Sequence, residues 1–316
     1  MKILITQYIP TEGLRDLLEN HEVIMPETGG FTFEEQKEHI KDTDILLSLF
    51  NSPVPKELME VAPNLKMISN FGVGYNNIDL NYAKERGVIV SNTPDPVTLP
   101  TAEHSMGLIL AVMRRISEMD RKLREGKVAD WKVMSNLGNT LNEKTLGIIG
   151  LGKIGQATAK LAQAFGMNVL YYSRNQKSET EEQELNTVWV ALDDLLRSSD
   201  VVSLHVPLTA ETKHMICTKE FQLMKNSAYI INTARGPVID EKALANALEN
   251  REIAGAGIDV FEEEPKIHEK LFGFDNVVLT PHIATGTIET RIETAKCAAD
   301  NIMAFIAGEE VPNRVL

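Results

Sequence analysis

Over the first 95 or so residues, short apolar runs alternate with amphipathic segments. The runs are Ile3–Thr6, Glu22–Met25, Asp44–Leu49, Leu65–Ser69 and Val88–Val90, and helical periodicity falls near 11–19, 33–40, 55–61 and 79–86. Strands separated by helical stretches pair in parallel, and a strand covered on both faces reads as a nearly unbroken apolar run. The pattern predicts a parallel α/β domain. Pro94, Pro96 and Pro100 then punctuate the chain, because proline lacks an amide donor and restrains the residue before it. From Ala102 to about Gly126, apolar positions (Met106, Leu110, Met113, Ile116, Met119, Leu123) recur at near-helical spacing and predict one long helix. That apolar set is broader than one stripe, so it suits burial against a second subunit as well as against its own domain. From Lys144 the alternation restarts, with strands near 145–149, 167–172, 200–206, 227–232, 254–260 and 276–280. Helices are expected near 154–165, 191–198, 218–225, 240–250 and 287–307, and the acidic run Ser178 to Glu184 reads as a solvated loop.

These elements describe two doubly wound parallel-sheet α/β domains, as expected for a chain of 316 residues. The last helix, rich in Ala and Ile, is expected to return to the first domain. The resulting division is 1–100 with 284–316 for one domain and 101–283 for the other, a Rossmann domain inserted into a flavodoxin-like one.

Net charge is −13, which argues against nucleic acid or an anionic membrane as partner. A single local Arg can still bind a small anion against that field. Two cysteines, Cys217 and Cys297, make no disulfide framework and point to a reducing cytoplasm. The chain opens directly on a strand and carries no apolar run of about 18 residues, so no leader or membrane span is expected. No metal site is expected.

The sharpest signal is Leu146 to Gly155, an apolar run opening into Gly-x-Gly-x-x-Gly. Gly150 allows a sharp turn, Gly152 lets the backbone approach a pyrophosphate, and Gly155 lets the next helix sit close to the strand. The helix N-terminus then faces the phosphates. A glycine turn kept for packing is the plainer alternative, but the strand before it and the helix after it favour dinucleotide binding. An acid commonly ends the second strand of such a fold, about 20 residues on, and binds a ribose hydroxyl. Here that place holds Ser173 and Arg174. With no carboxylate to repel a 2′-phosphate and a guanidinium to bind one, NADP(H) is favoured, with NAD(H) possible.

Three more segments put polar residues at predicted strand ends, where ligands of open α/β sheets collect. Arg235 stands between a strand and Gly236, placed either to clamp a carboxylate or to be solvated in a loop. Asp259 to Pro265 holds four acids, any of which alone is as readily surface as site. His282 follows an apolar strand and Pro281, and by itself is equally a packed side chain or a site residue.

Taken together, these motifs resemble the D-isomer-specific 2-hydroxyacid dehydrogenases, and the likeness spans essentially the whole chain. Asn70 to Asp79 is similar to that family's substrate loop, and Asn92-Thr93-Pro94 with Thr101-Ala102-Glu103 to its first hinge. The fingerprint, Asn232 to Gly236, Asp259 to Pro265 and Pro281-His282 follow in the family's order. One departure is Ile283-Ala284-Thr285-Gly286, where relatives often read Ile-Gly-Ser.

The resemblance implies a triad. Arg235 binds the substrate carboxylate, His282 exchanges the proton of the 2-oxo or 2-hydroxy group, and Glu264 stands behind His282 and favours the imidazolium. It implies that Phe50, Val73 and Gly74 contact substrate, and that Asp259 and the backbone near Thr233 hold the nicotinamide amide. Gly150, Gly152, Lys153, Ile154 and Gly155 meet the pyrophosphate. His205, Pro207 and Thr212 line the adenosine side, with Thr101, Val206 and Ala234 among the further cofactor contacts. A homodimer through the 102–126 helix is implied as well. The substrate is expected to be a small 2-oxo acid such as glyoxylate or hydroxypyruvate. The alternatives are a phosphoglycerate dehydrogenase-like enzyme, a reductase of branched or aromatic 2-oxo acids, or a nucleotide-sensing corepressor of the same fold. Other enzymes with a mid-chain Rossmann domain, such as a homocysteine-forming hydrolase or an alanine dehydrogenase, lack this triad pattern.

Overall fold

The computed structural model describes residues 1–128 and 130–316. The chain divides into two compact units, Met1–Val97 with Thr285–Leu316, and Thr98–Ala284.

The strands of the first unit are β1 (Lys2–Ile5), β2 (Glu22–Ile24), β3 (Ile45–Leu49), β4 (Met67–Phe71) and β5 (Ile89–Ser91). They form one parallel sheet in the order β2-β1-β3-β4-β5. Its helices are α1 (Arg15–Asn20), α2 (Phe33–His39), α3 (Lys56–Glu60) and α4 (Leu80–Glu85). β3 and β4 are buried along their whole length, which is why they read as apolar runs. One core lies under each face. Ile3, Ile5, Leu47 and Phe71 pack on one side with Ala295, Ala298 and Ile302 of the last helix. Leu4, Leu46, Ile68 and Val90 pack on the other with Leu58 and Ala83.

The second unit opens with α5 (Thr98–Met113) and α6 (Ile116–Arg124). Its strands are β6 (Thr145–Ile149), β7 (Asn168–Tyr172), β8 (Val188–Trp189), β9 (Val201–Leu204), β10 (Tyr229–Asn232), β11 (Gly255–Ile258) and β12 (Val277–Leu279). Between them run α7 (Lys153–Ala164), α8 (Glu179–Leu185), α9 (Leu192–Ser198), α10 (Thr218–Leu223) and α11 (Glu241–Glu249). The seven strands form one parallel sheet, β12-β11-β10-β9-β6-β7-β8. The order reverses between β6 and β9, which is the switch point where such sheets bind ligands. In register Ile149 pairs with Leu204, Leu204 with Asn232, Asn232 with Ile258 and Ile258 with Leu279. Gly150, His205, Thr233, Asp259 and Thr280 therefore leave the sheet at one edge. The last helix, α12 (Ile288–Ala307), belongs to the first unit.

The structure corrects two expectations. The single helix expected over 102–126 is two helices, and it begins earlier. Pro100 sits inside the first turn of α5, where a missing amide costs nothing. The break comes because the Met113 carbonyl accepts the Asn139 amide and Arg115 takes a left-handed backbone, φ 58°. The Arg115 guanidinium then holds both carboxylate oxygens of Glu118 at 2.7 Å and the Leu137 carbonyl at 3.1 Å. The acidic run is the helix α8. Ser178 and Glu181 cap it reciprocally, and Glu182 accepts the Tyr171 hydroxyl at 2.7 Å, which ties the helix to β7. The short β8 carries no apolar run long enough to be read as a strand. Among the described residues, no helix is long and apolar enough to cross a membrane.

Candidate active site

The fingerprint turn is built as its glycines require. Gly150 has φ 100°, and a Cβ there would stand 2.8 Å from the His205 carbonyl. A Cβ on Gly155 would overlap the Gly150 carbonyl oxygen, so α7 docks this closely only with glycine. Gly152 is the residue before α7, and a Cβ built on it meets no atom within 4 Å. A pyrophosphate therefore has room beside Lys153 and Ile154. The first amides of a helix lack carbonyl partners within it, and its dipole favours an anion there. The residues fit a dinucleotide.

Ser173 follows β7. Its hydroxyl accepts the Leu151 amide at 2.9 Å and its carbonyl accepts the Trp189 indole at 3.2 Å. Ser173 therefore pins the fingerprint turn while keeping a hydroxyl proton to donate. Arg174 is exposed beside it. Glu211, in the 207–212 loop, lies below its ordinary range through the Thr209 hydroxyl, its own amide and, last, the charge of Arg174. In that loop the Thr212 hydroxyl donates to the Pro207 carbonyl at 2.6 Å and accepts the Thr209 amide at 2.8 Å. His205 and Val206 follow β9, and burial pushes His205 down to about 4, so its ring is neutral where it meets the Ser203 hydroxyl at 2.9 Å.

The acid/base constellation lies at the same edge. His282 Nδ1 and Glu264 Oε2 are 2.8 Å apart. Burial works to raise the Glu264 carboxyl, but His282, the Phe261 amide and Arg235 outweigh it and hold it below the usual carboxylate range. Of the neighbouring acids, Glu262 is engaged elsewhere, with His214 and the Glu241 amide, and Glu263 is exposed. Burial pulls the Arg235 guanidinium below its ordinary range while the Glu264 charge works against that shift. Arg235 Nη1 donates to the Ala234 carbonyl at 2.7 Å. Asn232 spans the turn, donating to the Arg235 carbonyl at 3.0 Å and accepting the Ala234 amide at 3.0 Å.

His282 itself has a left-handed backbone, φ 53°. For a residue with a Cβ that costs about 1–3 kcal/mol and must be imposed by its surroundings. Asp259, fully buried, imposes it. Its Oδ1 accepts the Thr280 hydroxyl at 2.6 Å and the Ile283 amide at 2.9 Å, and its Oδ2 accepts the Ala284 amide at 2.9 Å. The His282 amide donates to the Asp259 carbonyl at 2.8 Å. His104 of α5 completes the cluster, with Nε2 3.1 Å from Thr280 Oγ1 and 3.3 Å from Asp259 Oδ1. Burial alone would raise the Asp259 carboxyl, and the His104, Thr280 and Ile283 donors leave it lowered. Sequence reading passed over His104 and Thr280. The available signal was an imidazole on a helix whose neighbours Thr101, Ala102, Ser105 and Met106 are all buried. Thr233 is buried as well, its hydroxyl 2.8 Å from that of Ser105.

In the first unit the segment after β4 is braced from several sides. Asn70 Nδ2 donates to the Gly74 carbonyl at 2.8 Å, Asn92 Nδ2 to the Val73 carbonyl at 2.8 Å, and the Gly72 amide to Thr93 Oγ1 at 2.8 Å. Phe50 directly follows β3, beside Gly72. A cavity of about 560 Å³ in the second unit lies elsewhere. It is lined by Tyr229, Ala254, Asn276 and Val278 at the amino ends of β10, β11 and β12, the edge opposite the constellation.

Residues 106–284 match the family model described as the D-isomer specific 2-hydroxyacid dehydrogenase, NAD binding domain. The chain is 46% identical to a glyoxylate reductase of Thermococcus litoralis over 99% of this chain and 96% of that one. It is 44% identical to the glyoxylate reductase of Pyrococcus furiosus over 99% and 95%. Among solved structures, a glyoxylate reductase from Paecilomyes thermophila superposes with TM-score 0.90 at 33% identity, covering 100% and 98% of the two chains. An NADPH-dependent glyoxylate/hydroxypyruvate reductase from Sinorhizobium meliloti, solved with NADP and malonate, superposes with TM-score 0.86 at 31% identity, covering 99% and 96%.

Proposed function

The chain belongs to the D-isomer-specific 2-hydroxyacid dehydrogenases, nicotinamide-dependent oxidoreductases, and on that premise we propose that it reduces glyoxylate and hydroxypyruvate to their 2-hydroxy acids. The observation that carries the reading is the 2.8 Å contact of His282 with Glu264 beside a desolvated Arg235. Bound at the Gly150–Gly155 cradle, the nicotinamide nucleotide supplies the hydride. The protein does the rest. Arg235 pairs with the substrate carboxylate through a planar fork that a single ammonium does not reproduce. His282 gives a proton to the carbonyl oxygen as it gains charge, and takes it back in oxidation. Glu264 holds the imidazole from Nδ1, which leaves Nε2 for the substrate oxygen. Asp259, which the resemblance places on the nicotinamide amide, has both carboxylate oxygens engaged by Thr280, Ile283 and Ala284, and its proposed role is through the turn it holds. Phe50, Val73 and Gly74 are the substrate-contacting residues of the first unit.

For the cofactor we favour NADPH. Ser173 and Arg174 end β7 with no carboxylate of their own, and the Sinorhizobium meliloti relative is NADPH-dependent. Thr101, His205, Val206, Pro207, Thr212, Thr233 and Ala234 complete the proposed cofactor contacts. The proposed assembly is a homodimer. Trp131, Val133 and Met134 are 81%, 90% and 79% exposed in one arm, with Ile116 and Leu123 exposed on α6. Such a concentration of apolar surface is uncommon on a monomer. Unpaired Cys217 and Cys297 support a reducing compartment, the cytoplasm.

The test is a reductase screen over 2-oxo acids with NADPH and NADH in parallel. Glyoxylate and hydroxypyruvate should give the highest kcat/KM. Preferred turnover of a branched or aromatic 2-oxo acid would replace this substrate assignment.

A further inference from the structure

Arg291, in the first turn of α12, lies against two aromatic rings at the carboxyl edge of the first unit's sheet. Its guanidinium carbon is 5.6 Å from the Phe50 ring centroid and 5.9 Å from that of Phe71. Phe50 directly follows β3. Phe71 ends β4, is 1% exposed, and pairs in register with Leu49. Nη1 also donates to Thr285 Oγ1 at 3.3 Å. Among the described residues, no carboxylate lies within ion-pair distance of Arg291. Arg115, just before α6, and Arg121 and Arg124 within it differ, since each pairs with an acid. Burial pulls Arg291 below the ordinary arginine range.

A desolvated guanidinium without an anion is costly unless something replaces its water. Two aromatic faces do so, and such a contact is worth about 10- to 30-fold in an equilibrium when water is excluded. The same stack joins three pieces of chain: α12, the end of β3 and the end of β4. It also orients the Phe50 ring, because the missing side chain of Gly72 lets that residue close in. A Cβ on Gly72 would stand 3.2 Å from the Phe50 Cβ.

We propose that Arg291 is a positioning residue that locks Phe50 against Phe71 and thereby sets which 2-oxo acids the enzyme accepts. The proposal rests on reading Phe50 as a substrate contact. With the ring locked, the pocket edge is rigid and suits a small substrate. With the stack removed, Phe50 gains rotamers, binding of a small substrate weakens, and a bulkier side chain is tolerated.

The experiment uses the full chain with Arg291→Met, Arg291→Lys, Phe50→Leu and the two double variants. Steady-state kinetics are taken with glyoxylate and with phenylpyruvate, and melting temperatures are recorded for all. Arg291→Met should raise KM for glyoxylate about 10-fold, change kcat much less, leave KM for NADPH in place, and reduce the preference for glyoxylate over phenylpyruvate about 10-fold. Arg291→Lys should not restore the preference, because an ammonium lacks the planar face. In the Phe50→Leu background, Arg291→Met should change the preference less than about 3-fold, since its partner is already gone. Additive effects of the two substitutions, or a fall in kcat and melting temperature with the preference intact, would overturn the proposal. If the unaltered enzyme reduces no 2-oxo acid, the functional reading fails by itself. The melting-temperature cycle then still decides the lock, because coupled losses keep it and additive losses remove it.

Discussion

His282 is conformationally costly, a histidine with φ 53° whose imidazole meets Glu264 at 2.8 Å. Replacing it by Ala should lower kcat for glyoxylate reduction about 10² to 10⁴-fold, the size of a lost general acid, with the melting temperature little changed. Retention of most turnover would remove it from the mechanism. Its position after an apolar strand was readable from local pattern, and the likeness to the family named Glu264 as its partner, but nothing in the local pattern separates Glu264 from its neighbours. Glu262, Glu263 and Glu264 are adjacent in sequence, and only the path of the chain after β11 sends the third toward His282 and the first toward His214. At the other end of the proposed cofactor site, Arg174→Ala should abolish the proposed NADPH preference, expected at about 10- to 100-fold in kcat/KM, the worth of one or two hydrogen bonds to a charged group. Equal or better efficiency with NADH in the unaltered enzyme would leave Arg174 as a solvated turn residue. Ser173 has a second task that no local signal announced, which is holding the Leu151 amide at 2.9 Å.

At the scale of elements, the decisive piece is the turn from Thr280 to Ala284. It has no regular structure and is shaped by the Asp259 carboxylate. Asp259→Asn keeps the volume but sets an NH₂ where a backbone amide or hydroxyl must be accepted. Leaving a buried donor unpaired costs about 1–3 kcal/mol. The variant should melt lower and lose kcat about 10- to 100-fold, with a smaller change in KM for the nucleotide. The effect also depends on pH. The folded Asp259 pKa is lowered, so near the ordinary aspartate value of about 3.9 the unfolded chain binds more protons than the folded one. The stabilisation is complete above that value and is lost as pH falls through the lowered folded pKa. Melting curves of the unaltered protein should decline over that acid range, and the Asn variant should show a shallower decline. An identical acid limb in both would assign the loss to other carboxylates. The helices divide in the same way. α2 and α8 carry Thr-x-x-Glu and Ser-x-x-Glu caps that local sequence displays, although charge density disguised α8 as a loop. The break between α5 and α6 depends on Asn139, 26 positions after Met113, taking that residue's carbonyl, and no helical periodicity reveals it.

For the whole molecule, the exposed arm bearing Trp131, Val133 and Met134 argues for a partner copy. Sedimentation at micromolar concentration should give a dimer. Trp131→Ser together with Met134→Ser should shift it toward monomer, whereas a stable monomer in the unaltered protein would reject the assembly. Local pattern was enough for two parallel sheets and for every strand but β8, because strands buried on both faces must be continuous apolar runs and parallel strands need helical returns. It also determined the dinucleotide cradle, since only glycine tolerates the backbone of Gly150 and the crowding at Gly155. Tertiary structure alone decided how Glu262 and Glu264 part toward His214 and His282, that Asp259 holds the turn beside it, and that Arg291 stacks on Phe50 and Phe71. The physical reason is range. Periodicity and capping act within a turn or two of chain, while a buried charge takes its partners from strands and helices dozens to hundreds of residues away, and only the register of the folded sheets brings them within hydrogen-bonding or stacking distance.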